Sequence, residues 1–232
     1  MKTIGLIGGM SWESSAEYYR IMNEAVKEKL GGLHSVNCIL YSVDFEEIAA
    51  LQHQGEWIEL TTRMIGFARR LEDAGADFIV IATNTMHKMA EQVQDKIRIP
   101  LLHIADAAGE KIIQHGLHKP GLLGTKFTME EDFYTGRLRD KYELEVIVPP
   151  DADRNDVDDI IYHQLCVGVI KQESRQRFQD VIKGLVLRGA DGVILGCTEI
   201  PLLISQEDVD VPLFDTTTIH SRAAVELALR GE

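Results

Sequence analysis

The stretch Gly189-Ala-Asp-Gly-Val-Ile-Leu-Gly-Cys-Thr-Glu199 decides the fold of this chain. Its apolar centre, residues 193–195, is typical of a fully buried strand, and Gly196 permits close approach of a neighbouring backbone. Cysteine, threonine and glutamate follow at residues 197–199, directly after the strand. Ligands of open α/β sheets bind at the carboxyl ends of the strands, so this stretch predicts a strand that delivers reactive side chains to a site.

The same unit occurs earlier in the chain. Gly75-Ala-Asp-Phe-Ile-Val-Ile-Ala-Thr-Asn-Thr85 matches the first stretch position by position, with Thr83 at the position of Cys197. Residues 4–9 and 120–125 form a second matching pair at nearly the same spacing. Two pairs in register indicate a duplicated α/β unit.

Strands and helices alternate along the whole chain, which predicts mostly parallel sheets flanked by helices. We expect an α/β fold of two pseudo-symmetric lobes. Pro100 and Pro212 occupy matching places in the two copies. The first lobe is therefore expected at residues 1–98, joined by the C-terminal segment 209–232, and the second at residues 99–208.

The hydrophobic periodicity predicts the individual elements. Strands are expected at residues 3–7, 36–43, 78–82, 100–104, 121–123, 144–148, 193–195 and 211–214. Helices are expected at residues 14–29, 45–54, 56–74, 85–94, 106–115, 129–141, 157–169, 175–188 and 220–230. The polar, turn-rich residues 149–156 are expected to form a loop.

Composition and charge exclude several classes of partner. The 232 residues include 24 basic and 37 acidic side chains, a net charge of −13, which argues against binding to nucleic acid or to an anionic membrane. A small acidic substrate remains compatible with this charge. The sequence begins directly with a strand pattern and has no apolar run of about 20 residues, so we expect a cytoplasmic protein.

The sequence predicts neither a metal nor a cofactor. Its three cysteines lack the C-x-x-C spacing of zinc sites and give no disulfide framework, and Cys38 and Cys166 are expected in the core. The motif Gly5-x-x-Gly8-Gly9 is not a dinucleotide fingerprint, and no P-loop lysine follows it. Four further histidines show no metal-ligand spacing: His103, His115, His118 and His220.

Each candidate site residue also has a purely structural interpretation. Cys197 could be a small buried apolar residue, but we favour a functional thiol whose pKa is lowered by a helix that begins after the strand. The turn at residues 9–11 is either a plain strand-to-helix connection or a set of amides that bind a carboxylate. Both interpretations of this turn stay open.

The polar residues after the other strand ends are equally ambiguous. Thr83 or Asn84 could cap the following helix, bind substrate, or do both. His87 is either a packing residue or a contact to the substrate or to a proton relay. Glu199 is either a residue of a first helical turn or the group that binds an ammonium ion.

Four segments together resemble the aspartate/glutamate racemase family of cofactor-independent amino-acid racemases. They are Gly-Gly-Met-Ser-Trp-Glu at residues 8–13, Thr-Asn-Thr-x-His at 83–87, Leu-Gly-Thr at 123–125 and Gly-Cys-Thr-Glu at 196–199. The resemblance covers nearly the whole chain. It implies two pseudo-symmetric lobes with the active site in the cleft between them, no cofactor, and assembly as a homodimer.

The resemblance also implies roles for particular residues. One acid/base group from each lobe acts on opposite faces of the substrate α-carbon, and the matching positions are Thr83 and Cys197. The family has a second cysteine where this chain has Thr83. By analogy, Cys197 removes the α-proton of L-aspartate or L-glutamate and Thr83 returns a proton to the other face, so that turnover of the L-enantiomer is favoured. The expected substrate-binding residues are Gly9, Met10, Ser11, Gln52, Asn84, Thr85, His87, Thr125, Thr198 and Glu199.

Several alternatives remain open at this point. Because it has a single site cysteine, the chain also resembles arylmalonate decarboxylase. A hydantoin racemase is similar as well, but Glu199 favours an ammonium-bearing substrate over a hydantoin. An inactive amino-acid-binding module is a third possibility. No arginine in the four segments is an evident clamp for a side-chain carboxylate, and Gln52, His87 and Lys126 are only candidates, so a broader amino-acid specificity is also open.

Overall fold

The computed structural model of the protein describes residues 1–230. Within this range the strands are β1 (Ile4–Gly8), β2 (Cys38–Ser42), β3 (Phe78–Ile81), β4 (Leu101–Leu102), β5 (Pro120–Gly124), β6 (Gly192–Gly196) and β7 (Leu213–Asp215). The α-helices are α1 (Trp12–Leu30), α2 (Phe45–Gln54), α3 (Trp57–Asp73), α4 (Ala90–Gln94), α5 (Ile104–Gln114), α6 (Lys126–Glu130), α7 (Asp132–Tyr142), α8 (Asp151–His163), α9 (Gln172–Leu187) and α10 (Thr216–Leu229). Short 3₁₀ helices lie at Thr85–Met89, Leu165–Val167, Ile200–Leu202 and Gln206–Asp208.

The chain divides into two compact units. Unit 1 contains Met1–His103 and the segment from His220 onward, and unit 2 contains Ile104–Ile219. The division falls at the start of α5 and within α10. The lobe boundaries expected from the sequence lay near residues 98 and 208, at the prolines that precede β4 and β7.

Unit 1 is built on a parallel sheet of four strands in the order β2-β1-β3-β4. Successive residues of β3 alternate between two hydrophobic cores. Ile79 and Ile81 pack with α3 on one face, whereas Phe78 and Val80 pack with α1 and α10 on the other. This alternation is what a strand with a period of two residues produces when both faces of its sheet are covered.

Unit 2 is built on a parallel sheet of three strands in the order β5-β6-β7. Its core joins β5 and β6 to apolar residues of α5, α7, α8 and α9. The predicted α/β fold with two parallel sheets flanked by helices is therefore confirmed. Because all strands of a parallel sheet end at one edge, the segments after β1 and β3, and those after β5 and β6, each gather at one edge of their own sheet.

The predicted strand at residues 144–148 is wrong. This segment forms an isolated bridge between Ile147 and Gly121 of β5, in which the Ile147 amide donates to the Pro120 carbonyl at 3.0 Å. Pro149 and Pro150 follow at once. Proline has no amide hydrogen to donate, so the pairing cannot extend along β5.

The predicted loop at residues 149–156 and helix at 157–169 are also wrong in their bounds. Helix α8 begins at Asp151, directly after Pro150, and ends at His163. The aspartates that suggested a loop occupy its first turn, where carboxylates stabilise the positive end of the helix dipole. Gly168, with a φ of 72°, closes the 3₁₀ turn that follows α8.

Three other predicted helices differ from those observed. The helix predicted at 85–94 is a 3₁₀ helix followed by α4, and the helix at 129–141 is divided into α6 and α7 at Glu131, whose backbone is extended. The C-terminal helix begins at Thr216, four residues before its predicted start. None of the helices formed by the described residues is long and apolar enough to cross a membrane.

Candidate functional site

The turn after β1 contains the first predicted site residues of unit 1. Gly9 has a φ of 88°, and a Cβ at this position would collide with the carbonyl oxygen of Val43. The Gly9 amide donates to Ser15 Oγ at 2.7 Å, and Ser11 caps α1 by accepting from the Ser14 amide at 3.3 Å. The Gly9 amide is thus hydrogen-bonded within the turn itself, which for this amide favours the interpretation of a plain strand-to-helix connection over that of a carboxylate-binding group.

The segment after β3 carries Thr83, Asn84 and Thr85. Asn84 and Thr85 are buried, whereas Thr83 is half-buried. Asn84 precedes the 3₁₀ helix Thr85–Met89 but makes no side-chain cap to it among the described residues, so the capping interpretation does not hold for Asn84. The Thr83 carbonyl accepts a hydrogen bond from His87 Nδ1 at 2.8 Å.

Gln52 reaches the same part of unit 1 from α2. Its side chain is buried, and Nε2 donates to the sulfur of Met86 at 3.1 Å. A thioether is a weak acceptor. The Gln52 Oε1 atom is buried and has no hydrogen-bond partner among residues 1–230. The Gln52 amide can therefore still form a stronger hydrogen bond with a bound ligand.

His87 belongs to a buried group of rings, here called the histidine cluster and consisting of His87, His103, His220 and Tyr18. The ring centroid of His87 lies 4.6 Å from that of His103 and 5.7 Å from that of His220. Burial in the first place, and then the charges of His103 and His220, hold the pKa of His87 well below its usual value. The His87 ring is therefore neutral near pH 7.

In unit 2, the first predicted site residue follows β5. Thr125 is buried and caps α6, since its Oγ1 accepts from the Thr128 amide at 3.4 Å. The Lys126 amide donates to Asp158 Oδ1 at 2.8 Å. These bonds tie the end of β5 to both α6 and α8.

In the segment after β6, the side chains of Cys197, Thr198 and Glu199 form a hydrogen-bonded group, here called the bonded triad. Glu199 Oε2 accepts from Cys197 Sγ at 3.0 Å and from Thr198 Oγ1 at 2.8 Å. Cys197 is only 8% exposed and Glu199 only 3%. One carboxylate oxygen therefore orients both the thiol and the hydroxyl at the end of the strand.

The expected low pKa of Cys197 is wrong for the protein without ligand. The element after β6 is a 3₁₀ helix of three residues, Ile200–Leu202, which is too short to supply a substantial dipole. Burial, followed by the negative charge of Glu199, raises the pKa of the Cys197 thiol well above its usual value. Cys197 is consequently protonated near pH 7.

Sequence reasoning missed two neighbours of this thiol. Burial, then Asp158, and then the charge of Cys197 raise the pKa of the Tyr162 hydroxyl, so this tyrosine of α8 lies within electrostatic reach of the thiol. Cys166 contributes to the raised pKa of Cys197 as well. Neither residue stands in a recognisable motif. The apolar stripe of α8 was the one signal that this helix faces the core.

The two units thus present similar but unequal chemistry. Unit 1 offers the hydroxyl of Thr83, which makes no hydrogen bond to any of the described residues. Unit 2 offers the thiol of Cys197, which is bonded to a carboxylate that can accept its proton. The sequence placed both residues correctly after buried strands.

Comparison with known proteins adds a further finding. A family model described as Asp/Glu/hydantoin racemase matches residues 7–224. The chain is 24% identical to the broad specificity amino-acid racemase RacX of Bacillus subtilis, over 97% of this chain and 98% of the relative. It is also similar to the crystal structure of an Asp/Glu racemase candidate from Yersinia pestis (53% identity, TM-score 0.93, 99% and 100% of the two chains). A third similar protein is an aspartate racemase homologue from Pyrococcus horikoshii (39% identity, TM-score 0.85, 98% and 99% of the two chains).

Proposed function

The chain belongs to the Asp/Glu/hydantoin racemase family and is an isomerase, and we propose that it inverts the α-carbon of an amino acid without a cofactor. Cys197 and Thr83 act as the two acid/base groups. The observation that carries this proposal is the bonded triad after β6, in which a buried thiol donates to a buried carboxylate at 3.0 Å. A purely structural cysteine has no need of such a partner.

Glu199 is the group that makes a buried thiol usable as a base. A thiol must lose its proton before it can remove one from carbon, and Glu199 Oε2 is within hydrogen-bond distance of Sγ. In the protein alone this transfer is unfavourable, because burial and the Glu199 charge both disfavour the thiolate. The ammonium group of a bound amino acid would offset that negative charge and stabilise the thiolate.

The proton balance of the reaction follows from these roles. The Cys197 thiolate takes the α-proton from one face of the L-amino acid, and the Thr83 hydroxyl gives a proton to the opposite face. The carbanion between these steps needs hydrogen-bond donors at the α-carboxylate, and Asn84, Thr85 and Thr125 carry suitable groups. Thr83 then regains a proton and Cys197 releases one, so no net proton is consumed.

The threonine at position 83 makes the kinetics of the two enantiomers unequal, but thermodynamics limits which kinetic constants can differ. A threonine hydroxyl is far less acidic than a thiol, so it is a poor base toward the D-enantiomer but can still donate to a carbanion. Enantiomers have equal free energy in water, so kcat/KM must be equal for the two directions. The favoured turnover of the L-enantiomer is therefore expected in kcat, with a compensating difference in KM.

Aspartate and glutamate are the first substrates to test. Relatives carry aspartate racemase and broad-specificity names, and no arginine follows the matched strand ends. Of the candidates for binding a side-chain carboxylate, Gln52 supplies only a neutral buried amide, and the His87 ring is hydrogen-bonded to the Thr83 carbonyl. Because neither supplies a positive charge, the first experiment also includes neutral amino acids. Assembly as a homodimer remains a prediction from the family resemblance.

The test is incubation of the protein with each amino acid in deuterium oxide, following the α-proton by NMR and the product by chiral chromatography. Exchange with inversion is expected, and Cys197→Ala should lose both. Exchange without inversion would refute the role of Thr83. Binding without any exchange would indicate an amino-acid-binding module, and release of carbon dioxide from an arylmalonate would indicate a decarboxylase.

A further inference from the structure

The hydrogen bonding of Thr83 is unusually sparse for a residue with a proposed catalytic role. Thr83 lies between the end of β3 at Ile81 and the 3₁₀ helix that starts at Thr85. It therefore belongs to neither element. Among residues 1–230, its one hydrogen bond is the one from His87 Nδ1 to its carbonyl, at 2.8 Å. The residues on either side of Thr83, Ala82 and Asn84, are held by backbone hydrogen bonds, but the hydrogen bond of Thr83 itself comes from the side chain at position 87.

The direction of this bond requires one tautomer of His87. A carbonyl oxygen can only accept, so Nδ1 of His87 must carry the hydrogen for the bond to form. The Leu102 carbonyl also acts on the ring and would be served by the other tautomer, so the proposed role assigns the hydrogen to Nδ1. The pairing orients the peptide that joins Thr83 to Asn84, which in turn limits the ψ angle of Thr83. Because the side chain of a residue follows its backbone, the bond also restricts where the Thr83 hydroxyl points.

The rest of the histidine cluster holds the His87 ring in place. The His103 ring packs against it at 4.6 Å between centroids. The His220 ring, the second neighbour of His87, pairs through Nδ1 with the Tyr18 hydroxyl at 2.9 Å and through Nε2 with the Leu102 carbonyl at 3.0 Å. Each ring is nearly inaccessible to solvent. The ring that orients Thr83 is thus itself anchored to α1, β4 and α10.

We propose that His87 is a positioning residue for Thr83, and that it orients the hydroxyl which returns the proton to the substrate. This role rests on the proposed function, because it concerns the step assigned to Thr83. It assigns His87 to the backbone of Thr83 rather than to the substrate. It also accounts for the polar rings of the histidine cluster, which packing of the core alone would not require.

The chain itself supplies matched variants for the test. In α1, Asn23 Nδ2 donates to the Tyr19 carbonyl at 2.8 Å, so asparagine can make the same bond to a carbonyl four residues earlier. His87→Asn therefore keeps a donor near the Nδ1 position, whereas His87→Gln moves it toward the Nε2 position. His115 makes an equivalent bond to the Lys111 carbonyl at 2.8 Å on an exposed surface of unit 2, so His115→Gln is the control.

The experiment measures α-proton exchange and inversion of the L-substrate separately, in deuterium oxide, for each folded variant. With His87→Gln, the ratio of inversion to exchange should fall by about tenfold to a hundredfold, because only the Thr83 step is misaligned. His87→Asn should keep the ratio within about threefold of that of the wild-type protein, and His115→Gln should leave it unchanged. A merely structural role would lower exchange and inversion equally, and that result would overturn the assignment.

A second measurement needs no folded variant. Nitrogen-15 NMR of the wild-type protein should show the Nδ1–H tautomer of His87, and an Nε2–H tautomer would overturn the assignment. Failure of the proposed function would look different, because the wild-type protein would then exchange no α-proton at all. An unchanged ratio in His87→Gln, beside normal exchange and inversion in the wild-type protein, would refute the positioning role alone.

Discussion

Replacement of Glu199 by glutamine should make Cys197 more reactive and the enzyme less active. The Glu199 carboxylate lies 3.0 Å from the thiol, and both groups are almost fully buried. Two unit charges about 4 Å apart repel by about 4 kcal/mol at an effective dielectric constant of 20. That energy corresponds to a factor of roughly 1,000 in the thiolate population. Because glutamine has no charge, we expect the thiolate fraction of Cys197 to increase by a factor of roughly 100 to 1,000.

The assay is the rate of iodoacetamide labelling at each cysteine, measured by peptide mass spectrometry as a function of pH. In Glu199→Gln, labelling of Cys197 should begin at lower pH, whereas labelling of Cys38, which lies on β2, should not change. Glu207→Gln removes the same charge at an exposed position of unit 2 and should leave the profile of Cys197 unaltered. Racemase activity of Glu199→Gln should fall by at least about tenfold, because an amide cannot accept the thiol proton.

Two results would refute this reasoning. An unchanged or slower labelling of Cys197 in Glu199→Gln would mean that the carboxylate does not suppress the thiolate. Full racemase activity in the same variant would mean that Glu199 is not the proton acceptor. The opposite directions of the two expected effects separate a local electrostatic change from a general loss of structure, which would lower activity and also expose Cys38.

Three further predictions concern residues of unit 1. Thr83→Ala should abolish inversion but retain α-proton exchange from the L-substrate by NMR, whereas Thr83→Ser, which keeps a hydroxyl, should still invert. Gly9→Ala should lower the free energy of unfolding in urea by about 2–4 kcal/mol, because a positive φ and a collision with Val43 combine, whereas Gly55→Ala, with a left-handed backbone but open space, should cost about 1 kcal/mol. The pKa of His87 is lowered in the folded protein, so below about pH 6.5 the unfolded chain binds more protons and stability decreases as pH falls, by up to about 1.4 kcal/mol per pH unit. His87→Asn should show a correspondingly shallower decrease in urea titrations across that range.

The strand ends could be predicted because their signal is local. A short apolar run that ends in glycine and polar residues identifies a buried strand, and its repetition identified the second unit. The carboxyl end of each strand followed directly, which is why Thr83 and Cys197 were predicted from sequence. The start of helix α8 was predicted too late in the chain for an equally local reason, since aspartates favour both loops and first helical turns.

The contacts between side chains could not be predicted, because they join residues far apart in sequence. His220 meets Tyr18 and Leu102 across much of the chain, and no spacing rule marks such a meeting. The high pKa of Cys197 depends on burial and on how the Glu199 side chain turns back toward the thiol. The sequence order of residues 197–199 is compatible with a lowered pKa of Cys197 as well, so only the geometry decides whether that pKa is raised or lowered.

The most direct test of two acid/base groups on opposite faces is the deuterium content of the first D-amino acid formed from protiated L-substrate in deuterium oxide. If Cys197 removes the proton and Thr83 supplies another, essentially every D-molecule formed early in the reaction carries one deuterium at the α-carbon. A single group that both removes and returns the proton would transfer some protium to the product. Early D-product with substantial protium would therefore contradict the two-group account.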